Sequence, residues 1–400
     1  MSRFVSYNPE QVFLLPPSVE QVLGGDHLCF FVHAVIERLN LRSFLDAYSE
    51  EGGPLYHPSL MLKVWLYAYL LGLTSSRRLE QRVREDLAFR YLAGGAQPDF
   101  WALNAFRRRH KRGINDVFVQ VLELAQSLGL ARIGTVAIDS TRVKANASPE
   151  RIEKIADERQ GRARKRRQIR SWQQACEGDD PQEGAGASVG EACAQLAQLE
   201  VLRQLESLPK VRKRSQTDPD SRFLRERGGR FVLGYSGEIA VSEDHFIVAA
   251  RVTQNAHDVH ALLPMVEEVE HRCRQRPARV LADSGFYSNQ NVARLTARGI
   301  DVYVPDPNLA GELKHGAPVG TSLGRMTASS PHLLAMRQKL RTTEGQRCYR
   351  QRKMIVEPVF GVLKEQRAMR KFHLRSLEKV NTEWIWAALA FNLGRLYTQR

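Results

Sequence analysis

The sequence predicts a protein in two parts: an all-α region of about 130 residues, followed by a mixed α/β region. The first part carries apolar residues at helical spacing, with no competing strand pattern, over 27–40, 58–73, 76–93 and 114–130. The second part opens at 135–139 with a short β-branched and apolar run that ends in a carboxylate. With 400 residues, 43% of them hydrophobic, the chain can form two or three folded units and bury a sizeable core.

After residue 230 the chain alternates between strand-like and helix-like segments. Strand patterns cover 231–241, 246–253, 278–283 and 300–304, and helix patterns cover 258–269, 288–298, 347–371 and 379–397. The turn-like residues 242–245 predict an antiparallel hairpin, and Asp258 is placed to cap the helix that follows it. Residues 151–214 are charged, favour helix and show no strand pattern, so they predict a helical insertion after the first strand.

The N-terminal helices are spaced along the sequence like a helix-turn-helix unit. Two helices meet around 72–75, and a third begins at Asp99 and ends in the basic run 106–112, Phe-Arg-Arg-Arg-His-Lys-Arg. A three-helix bundle gives the same pattern, and the helix that begins at Pro58 is apolar nearly all round, which favours a core position. Residues 1–130 are interpreted as a helical DNA-binding domain, and a plain bundle is the alternative.

The charge balance favours a polyanionic partner. The chain has 59 Lys and Arg against 44 Asp and Glu, a formal charge of +15, and nucleic acid accounts for this better than a membrane surface. The longest apolar run, 60–73, contains Lys63 and is shorter than the roughly 20 residues that span a bilayer. Residues 1–10 lack the apolar segment of a secretory signal. We therefore expect a cytoplasmic, nucleoid-associated protein with no membrane partner.

Three carboxylates have the positions that a metal-dependent, DNA-cleaving site requires. Asp139 and Asp283 each end a short apolar strand, and Glu357 lies in the middle of a helix. DNA cleavage without a covalent intermediate uses two divalent cations about 3.5 to 4 Å apart, and such cations prefer carboxylate oxygens. The five cysteines have no C-x-x-C spacing, so a zinc ribbon is not indicated. Each acid alone is better explained as a turn, cap or ion-pair residue; the three together favour a metal site.

The helix that carries Glu357 lies in the most basic part of the sequence. Residues 337–371 contain 11 Lys or Arg and 3 Glu, more than half of the net charge of +15. If the helix is continuous, the cations within roughly 40° of the line through Glu357 are Arg350, Lys353, Lys364, Lys371 and Arg375. Arg352 lies off that line. An acid framed by bases on one face suits a metal beside a phosphate backbone, although Pro358 is expected to kink the helix.

At these motifs the sequence resembles the DDE transposases of bacterial insertion sequences, in the sub-group with a helical amino-terminal domain. The likeness rests on 137–147 (Ala-Ile-Asp-Ser-Thr-Arg-Val-Lys-Ala-Asn-Ala), 281–288 (Leu-Ala-Asp-Ser-Gly-Phe-Tyr-Ser) and 349–364, with its Val-Glu-Pro-Val-Phe-Gly core. The third stretch is the most specific, and a looser likeness extends from Pro16 to Leu396. The resemblance implies a ribonuclease-H-like catalytic domain over 131–400, a mixed sheet with flanking helices, in which Asp139, Asp283 and Glu357 bind two Mg²⁺ or Mn²⁺ ions.

The Tyr, Arg, Glu, Lys signature of that family maps onto Tyr349, Glu357 and Lys364, with its Arg position open. Arg352 has the usual gap from Tyr349 but lies one residue too far from Glu357. Lys353 has the expected distance to Glu357 and shares its helical face, so the geometry favours Lys353. The predicted DNA-binding residues are Tyr349, Arg350, Lys353, Lys364, Arg367 and Lys371.

The resemblance implies a transposase that binds the terminal inverted repeats of an insertion sequence, cleaves there and joins the freed ends to a target. Its partner would be double-stranded DNA, and two ends require two active sites, so a homodimer on DNA is expected. One alternative is a nuclease of the same fold that does not join strands. The other is a catalytically inactive, transposase-derived regulator, which the presence of all three carboxylates disfavours.

Overall fold

The computed structural model describes residues 18–48, 55–148, 150–154, 213–226, 229–314 and 331–399. As predicted, the first part is helical. Its described helices are α1 (Val19–Leu23), α2 (Leu28–Glu37), α3 (Arg42–Leu45), α4 (Pro58–Leu70), α5 (Ser76–Glu85), α6 (Leu87–Leu92), α7 (Phe100–Arg109) and α8 (Lys111–Ser127). Helix α4 is buried along nearly its whole length, so it is a core helix of this part.

The helix predicted over 76–93 is two helices, because Asp86 interrupts it. The backbone of Asp86 is extended, with φ −96° and ψ 127°, so the α5 hydrogen-bond ladder ends there. Its carboxylate then accepts hydrogen bonds from the N–H groups of Ala88 and Phe89 and caps α6. The break leaves α5 as a separate helix with exposed arginines on its outer face.

The second part contains a mixed sheet. The described strands are β1 (Thr135–Lys144), β2 (Ile152–Lys154), β3 (Lys213–Ser215), β4 (Arg222–Arg225), β5 (Phe231–Ser242), β6 (Ile247–Thr253), β7 (Arg279–Ala282) and β8 (Asp301–Tyr303). Strand β1 is central: it pairs antiparallel with β5 on one side and parallel with β7 on the other. Strands β6 and β4 pair antiparallel with successive parts of β5, and β8 pairs parallel with β7. The order β6–β5–β1–β7–β8 is ribonuclease-H-like, as predicted.

Six further helices pack around this sheet within the described ranges. They are α9 (Leu262–Cys273), α10 (Asn289–Ala297), α11 (Pro307–Lys314), α12 (Pro331–Arg341), α13 (Thr343–Gly361) and α14 (Leu377–Thr398). Helix α9 packs against β5 and β6, and α13 packs against β1, β7 and β8. Short 3₁₀ turns at Asp258–His260 and Ser284–Phe286 precede α9 and α10. These turns border the end of the sheet where β7 stops.

The continuous basic helix predicted over 347–371 is wrong at its C-terminal end. Regular α-helix stops at Gly361, and Val362–Gln366 form a π-helical turn. Pro358 has no N–H to donate to the carbonyl four residues earlier, and the regular helix ends within one turn of it. Ala368 then has a φ of 54°, and the following residues pair with Lys144 at the end of β1. Lys371 and Arg375 therefore lie outside the helix that carries Glu357.

The predicted helical insertion is described only at its two ends. There β2 and β3 pair antiparallel, from Ile152 opposite Ser215 to Lys154 opposite Lys213. The expectation that 151–214 contains no strand is therefore wrong at its margins, because two segments far apart in sequence pair across the base of the insertion. Its predicted helices and the basic run 162–170 lie outside the described residues.

Helix α14 connects the two parts of the molecule. It packs against β6 and also against α4, α7 and α8, and it is buried on nearly every side. Trp386 of α14 stacks on Tyr69 of α4 with ring centroids 6.0 Å apart. On the sheet side, Trp384 donates to the carbonyl of Glu238 and leaves no room for a side chain at Gly237. One core therefore extends from the helices to the sheet. Over the described ranges, no helix combines the length and apolar character needed to cross a membrane.

Candidate active site

The sheet brings Asp139 and Asp283 side by side. In the parallel β1–β7 pair, Ile138 lies opposite Ala282, and each aspartate is the next residue along the chain. Strand β7 ends at Ala282, whereas β1 continues to Lys144, so the strand edge beyond Asp139 is open on that side. Neighbouring strands lie about 4.8 Å apart, which places the two carboxylates at adjacent positions of the sheet.

Glu357 reaches the same place from α13. It is solvent-exposed on the helix that packs across β1 and β7, and it lines one cavity of about 450 Å³ with Asp139 and Asp283. Lys364, in the π-helical turn, also lines this cavity. The structure therefore brings the three predicted acids, remote in sequence, around one space. The other lining residues are Ser140, Thr141, Arg142, Arg225, Glu226, Asp258 and Phe360.

Asp139 forms the buried wall of the cavity and is paired with Arg352. The Arg352 guanidinium donates to its carboxylate at 2.8 Å, and both side chains are 7% exposed. Burial acts to lower the pKa of Arg352, but Asp139, Tyr349 and Asp283 together outweigh burial and raise the pKa above its usual value. Tyr349 lies against the guanidinium, with its ring centre 6.0 Å away, and burial raises its pKa. Arg352 thus serves as the cation beside Asp139 in this structure.

Asp283 is held by the turn that follows β7. Its carboxylate accepts a hydrogen bond from the N–H of Gly285 at 2.9 Å and caps the 3₁₀ turn. A Cβ placed on Gly285 would meet Asp283 Oδ1 at 3.1 Å and Asp258 Oδ2 at 3.6 Å. The carboxylates of Asp283 and Asp258 therefore both lie beside Gly285. Asp258 in turn pairs with Arg142 at 3.4 Å.

The donor set matches the chemistry of a hard divalent cation. The cavity offers carboxylate oxygens, which Mg²⁺ and Mn²⁺ prefer, and those of Asp283 and Asp258 both lie beside Gly285. Within the described ranges, however, no three His, Cys, Asp or Glu side chains are gathered closely enough to hold an ion. The carboxylates share a cavity without converging on one point, and Asp139 is turned to Arg352. Shared ligation of an ion by Asp139, Asp283 and Glu357 stays a prediction.

The predicted DNA-binding residues have different environments. Arg350, Lys353 and Lys371 are exposed, and Tyr349 is half-buried against Arg352. Arg367 instead points into the protein, where its guanidinium donates to the carbonyl of Leu70 and burial lowers its pKa. Because Arg367 holds the π-helical turn against α4, we do not retain it among the DNA contacts.

Much of the positive charge over 337–371 is matched by acids from other elements. The pairs with acids outside the segment are Arg337–Asp306, Lys339–Asp301, Arg341–Glu312 and Arg352–Asp139, whereas Arg370 pairs with Glu365 inside it. The sequence surplus therefore overstates the charge that this segment presents to solvent. The exposed cations nearest to Glu357 along the helix are Arg350 and Lys353.

Sequence reasoning missed Asp258 and Arg142. Asp258 was predicted to cap the following helix, but α9 begins at Leu262 with no side-chain cap, and the Asp258 carboxylate faces Arg142. The prediction was wrong because Asp258 begins a 3₁₀ turn, and the helix starts only after that turn. One signal was available: Asp258 lies in the connection that follows β6, and Asp283 lies in the connection that follows β7.

Comparison with known proteins links both parts of the chain to one class of protein. A family model described as "Transposase DDE domain" matches residues 211–393, and one described as "Transposase domain (DUF772)" matches residues 17–109. No curated protein matches the chain significantly. A crystal structure of a pre-cleavage Mos1 transpososome aligns over 96% of this chain and 97% of that chain, with 11% identity and a TM-score of 0.19. A score this low does not indicate a shared arrangement.

The family assignment rests on the two transposase models, which match separate stretches that together exceed half of the chain. The observed ribonuclease-H-like strand order agrees with it. Domains of this class generally use divalent metal ions, in keeping with the acidic cavity. The chain belongs to the DDE transposases.

Proposed function

We propose that this transposase acts on double-stranded DNA: it binds the terminal inverted repeats of its element, cleaves at the ends and joins them to a target. The observation that carries this proposal is the meeting of Asp139, Asp283 and Glu357 at one cavity, from two strands and a helix. The transposase family of the chain supports the same activity. Residues 131–400 would form the catalytic part.

In this proposal Asp139, Asp283 and Glu357 hold two divalent cations, Mg²⁺ or Mn²⁺. Such ions, when bound, activate the attacking hydroxyl and stabilise the leaving oxygen of the phosphodiester. Asp139 would contribute an oxygen from the sheet, Asp283 one from the turn at the end of β7, and Glu357 one from the exposed face of α13. For Asp139 to take part, its carboxylate must exchange the Arg352 guanidinium for the ion.

The cations around the cavity would position the DNA backbone. Lys364 lines the cavity itself, and Arg350 and Lys353 are exposed on the helix of Glu357. Phosphate contacts of this kind fix the register of a duplex without reading its sequence. Lys371 is exposed where the chain pairs with the end of β1, at the margin of the same region.

Recognition of the element ends would fall to the helical part, residues 1–130. Helix α5 follows the core helix α4 across a short connection and exposes Arg77 and Arg78. Arg77 lies over the ring of Phe100 at 5.1 Å, next to Trp101, which is 68% exposed. Exposed arginine and aromatic side chains suit contact with DNA. Two ends need two active sites, so the active form would be a homodimer on DNA.

A strand-transfer assay tests the proposal. Purified protein is incubated with labelled element ends, a target plasmid and Mg²⁺, and the products are separated on a gel. Ends joined to the plasmid are expected. Cleaved ends without joined product would favour a nuclease of the same fold, and retarded but uncut DNA would favour an inactive regulator.

A further inference from the structure

A fourth carboxylate, that of Asp258, lines the same cavity as the three predicted acids. It comes from the 3₁₀ turn between β6 and α9, an element that supplies none of the other three. Its side chain is 18% exposed, so it is largely enclosed yet accessible from the cavity. The family resemblance did not single out this residue.

Asp258 is a close neighbour of Asp283. Oxygen atoms of both side chains lie within 4 Å of one point, the position that a Cβ on Gly285 would occupy. Two carboxylates that face a common open point repel each other unless a cation lies between or beside them. The glycine keeps that point open, because a methyl group there would lie in tight contact with Asp283 Oδ1 at 3.1 Å.

In this structure Arg142 supplies the cation beside Asp258. Its guanidinium pairs with the carboxylate at 3.4 Å, and it is anchored by Ser236 Oγ and by the carbonyl of Ala256 at 2.9 Å. The contact with Asp258 is the longest of the three. The arrangement repeats that of Asp139 and Arg352: an arginine stands beside a carboxylate of the cavity.

We propose that Asp258 is a fourth metal-binding carboxylate of this active site, which acts beside Asp283 on the divalent cation that the two acids share. This inference rests on the proposed function, and it names a ligand outside the predicted triad. The competing explanation is that Asp258 only balances the charge of Arg142. The two explanations differ in what happens to metal binding when either partner is replaced.

Calorimetric titration of the full-length protein with Mn²⁺, without DNA, measures this binding directly. For Asp258→Asn we expect Mn²⁺ affinity to fall by about 10- to 100-fold, or one equivalent of bound Mn²⁺ to be lost. The matched control is Asp244→Asn. Asp244 also has an 18% exposed side chain and pairs with an arginine, Arg132, but it lies in the β5–β6 turn and does not line the cavity. Its variant should bind Mn²⁺ like the wild type.

Two further variants separate ligation from charge balance. Arg142→Gln should leave Mn²⁺ affinity unchanged or tighter, because it removes a competitor for the Asp258 carboxylate. Gly285→Ala should weaken Mn²⁺ binding while both acids are retained, because the methyl group would displace the Asp283 carboxylate beside Asp258. If Asp258→Asn does not fold, Gly285→Ala still tests whether the carboxylates of Asp258 and Asp283 bind Mn²⁺ together.

The outcomes distinguish this inference from the proposed function. If Asp258→Asn and Gly285→Ala bind Mn²⁺ like the wild type while Asp139→Asn does not, Asp258 is no ligand and the triad stands. If Arg142→Gln weakens Mn²⁺ binding as much as Asp258→Asn, Asp258 acts only through Arg142 and the inference is overturned. If Asp139→Asn also binds Mn²⁺ normally, the proposed active site itself is wrong.

Discussion

Two buried arginine–carboxylate pairs connect distant parts of this chain, and they differ in what surrounds them. Arg107 of α7 lies 3.9 Å from Glu383 of α14, with side chains 3% and 0% exposed. Arg352 of α13 lies 2.8 Å from Asp139 of β1, with both side chains 7% exposed. Both arginines come from basic stretches that resemble DNA-binding sequence, and both face inward.

The Arg107–Glu383 pair is enclosed between α14 and the helices of the first part. Arg107 also donates to the carbonyl of Thr74 at 2.7 Å and lies over the ring of Trp65 at 4.4 Å. Glu383 accepts backbone hydrogen bonds from His373 and Leu374. Burial acts to raise the pKa of Glu383, but its hydrogen bonds with His373 and the charge of Arg107 outweigh burial and lower it.

The second pair, in contrast, borders the cavity. The Asp139 carboxylate accepts a hydrogen bond from Arg352, and Asp139 also lines the cavity together with Asp283 and Glu357. A dissolved ion cannot reach an arginine that is enclosed in the packing, whereas an ion that enters a cavity can take the place of an arginine at its wall. The comparison therefore predicts that the two pairs respond differently to divalent metal.

The largest expected effect is on catalysis. Asp139→Asn removes the central proposed ligand, and we expect the rate of end cleavage to fall by at least about 100-fold, since outer-shell partners alone cost roughly 10- to 100-fold. Binding of the element ends, measured by gel retardation, should persist. Loss of cleavage and end binding together, in a variant that melts like the wild type, would contradict a metal-specific role.

Replacing the arginines tests the comparison itself. Arg107→Gln and Arg352→Gln each leave a buried carboxylate without its cation, which costs about 3 to 5 kcal/mol of unfolding free energy. We expect Mg²⁺ to restore part of the loss for Arg352→Gln, because an ion can take the place of the guanidinium, and none for Arg107→Gln. Urea unfolding with and without Mg²⁺ measures both. Equal responses to Mg²⁺ would remove the distinction between the pairs.

Acid should destabilise the helical part through His110, which follows Arg107 by three residues. Burial, with the nearby Arg109 charge, lowers the pKa of His110 from 6.5 to about 4. Between pH 6.5 and 4, His110 is therefore protonated in the unfolded chain but stays neutral in the folded chain. Stability is complete above pH 6.5 and falls by up to about 3 kcal/mol as the pH drops to 4.

A pH series of urea unfolding curves measures this slope. His110→Gln should remove most of it between pH 6.5 and 4, at some loss of stability at neutral pH because the hydrogen bond of His110 with Tyr48 is altered. An unchanged slope in that variant would assign the acid sensitivity to other groups.

The smallest effects concern exposed cations. Lys353→Gln should change unfolding free energy by less than about 0.5 kcal/mol, since the side chain is exposed. It should reduce the salt dependence of DNA binding by about one unit of slope if Lys353 contacts a phosphate. Lys111→Gln is the matched variant in the other basic stretch, where Lys111 is exposed and pairs with Glu378 at 3.2 Å. If both variants reduced the salt dependence of DNA binding by the same amount, the stretch that contains Lys111 would also belong to the DNA-binding face.

Local features of this molecule could be predicted from sequence. Asp139 and Asp283 stand out because a β-branched run and the carboxylate that ends it are contiguous in the chain. The order of helices and strands could be predicted from hydrophobic periodicity, because this pattern is also contained within short stretches of the chain. The inward direction of Arg107, Arg352 and Arg367 was not predictable, because it depends on which helix face meets a partner from elsewhere in the chain.

By itself, the sequence determined the element types, the ribonuclease-H-like class through its motifs and the three acids, since these are properties of short segments. Tertiary structure decided the rest. The β1–β7 register aligned Asp139 with Asp283, the end of the helix after Pro358 removed Lys371 from the Glu357 face, and the path from β6 to α9 brought Asp258 into the cavity. Each depends on contacts between residues far apart in sequence, which no local pattern encodes.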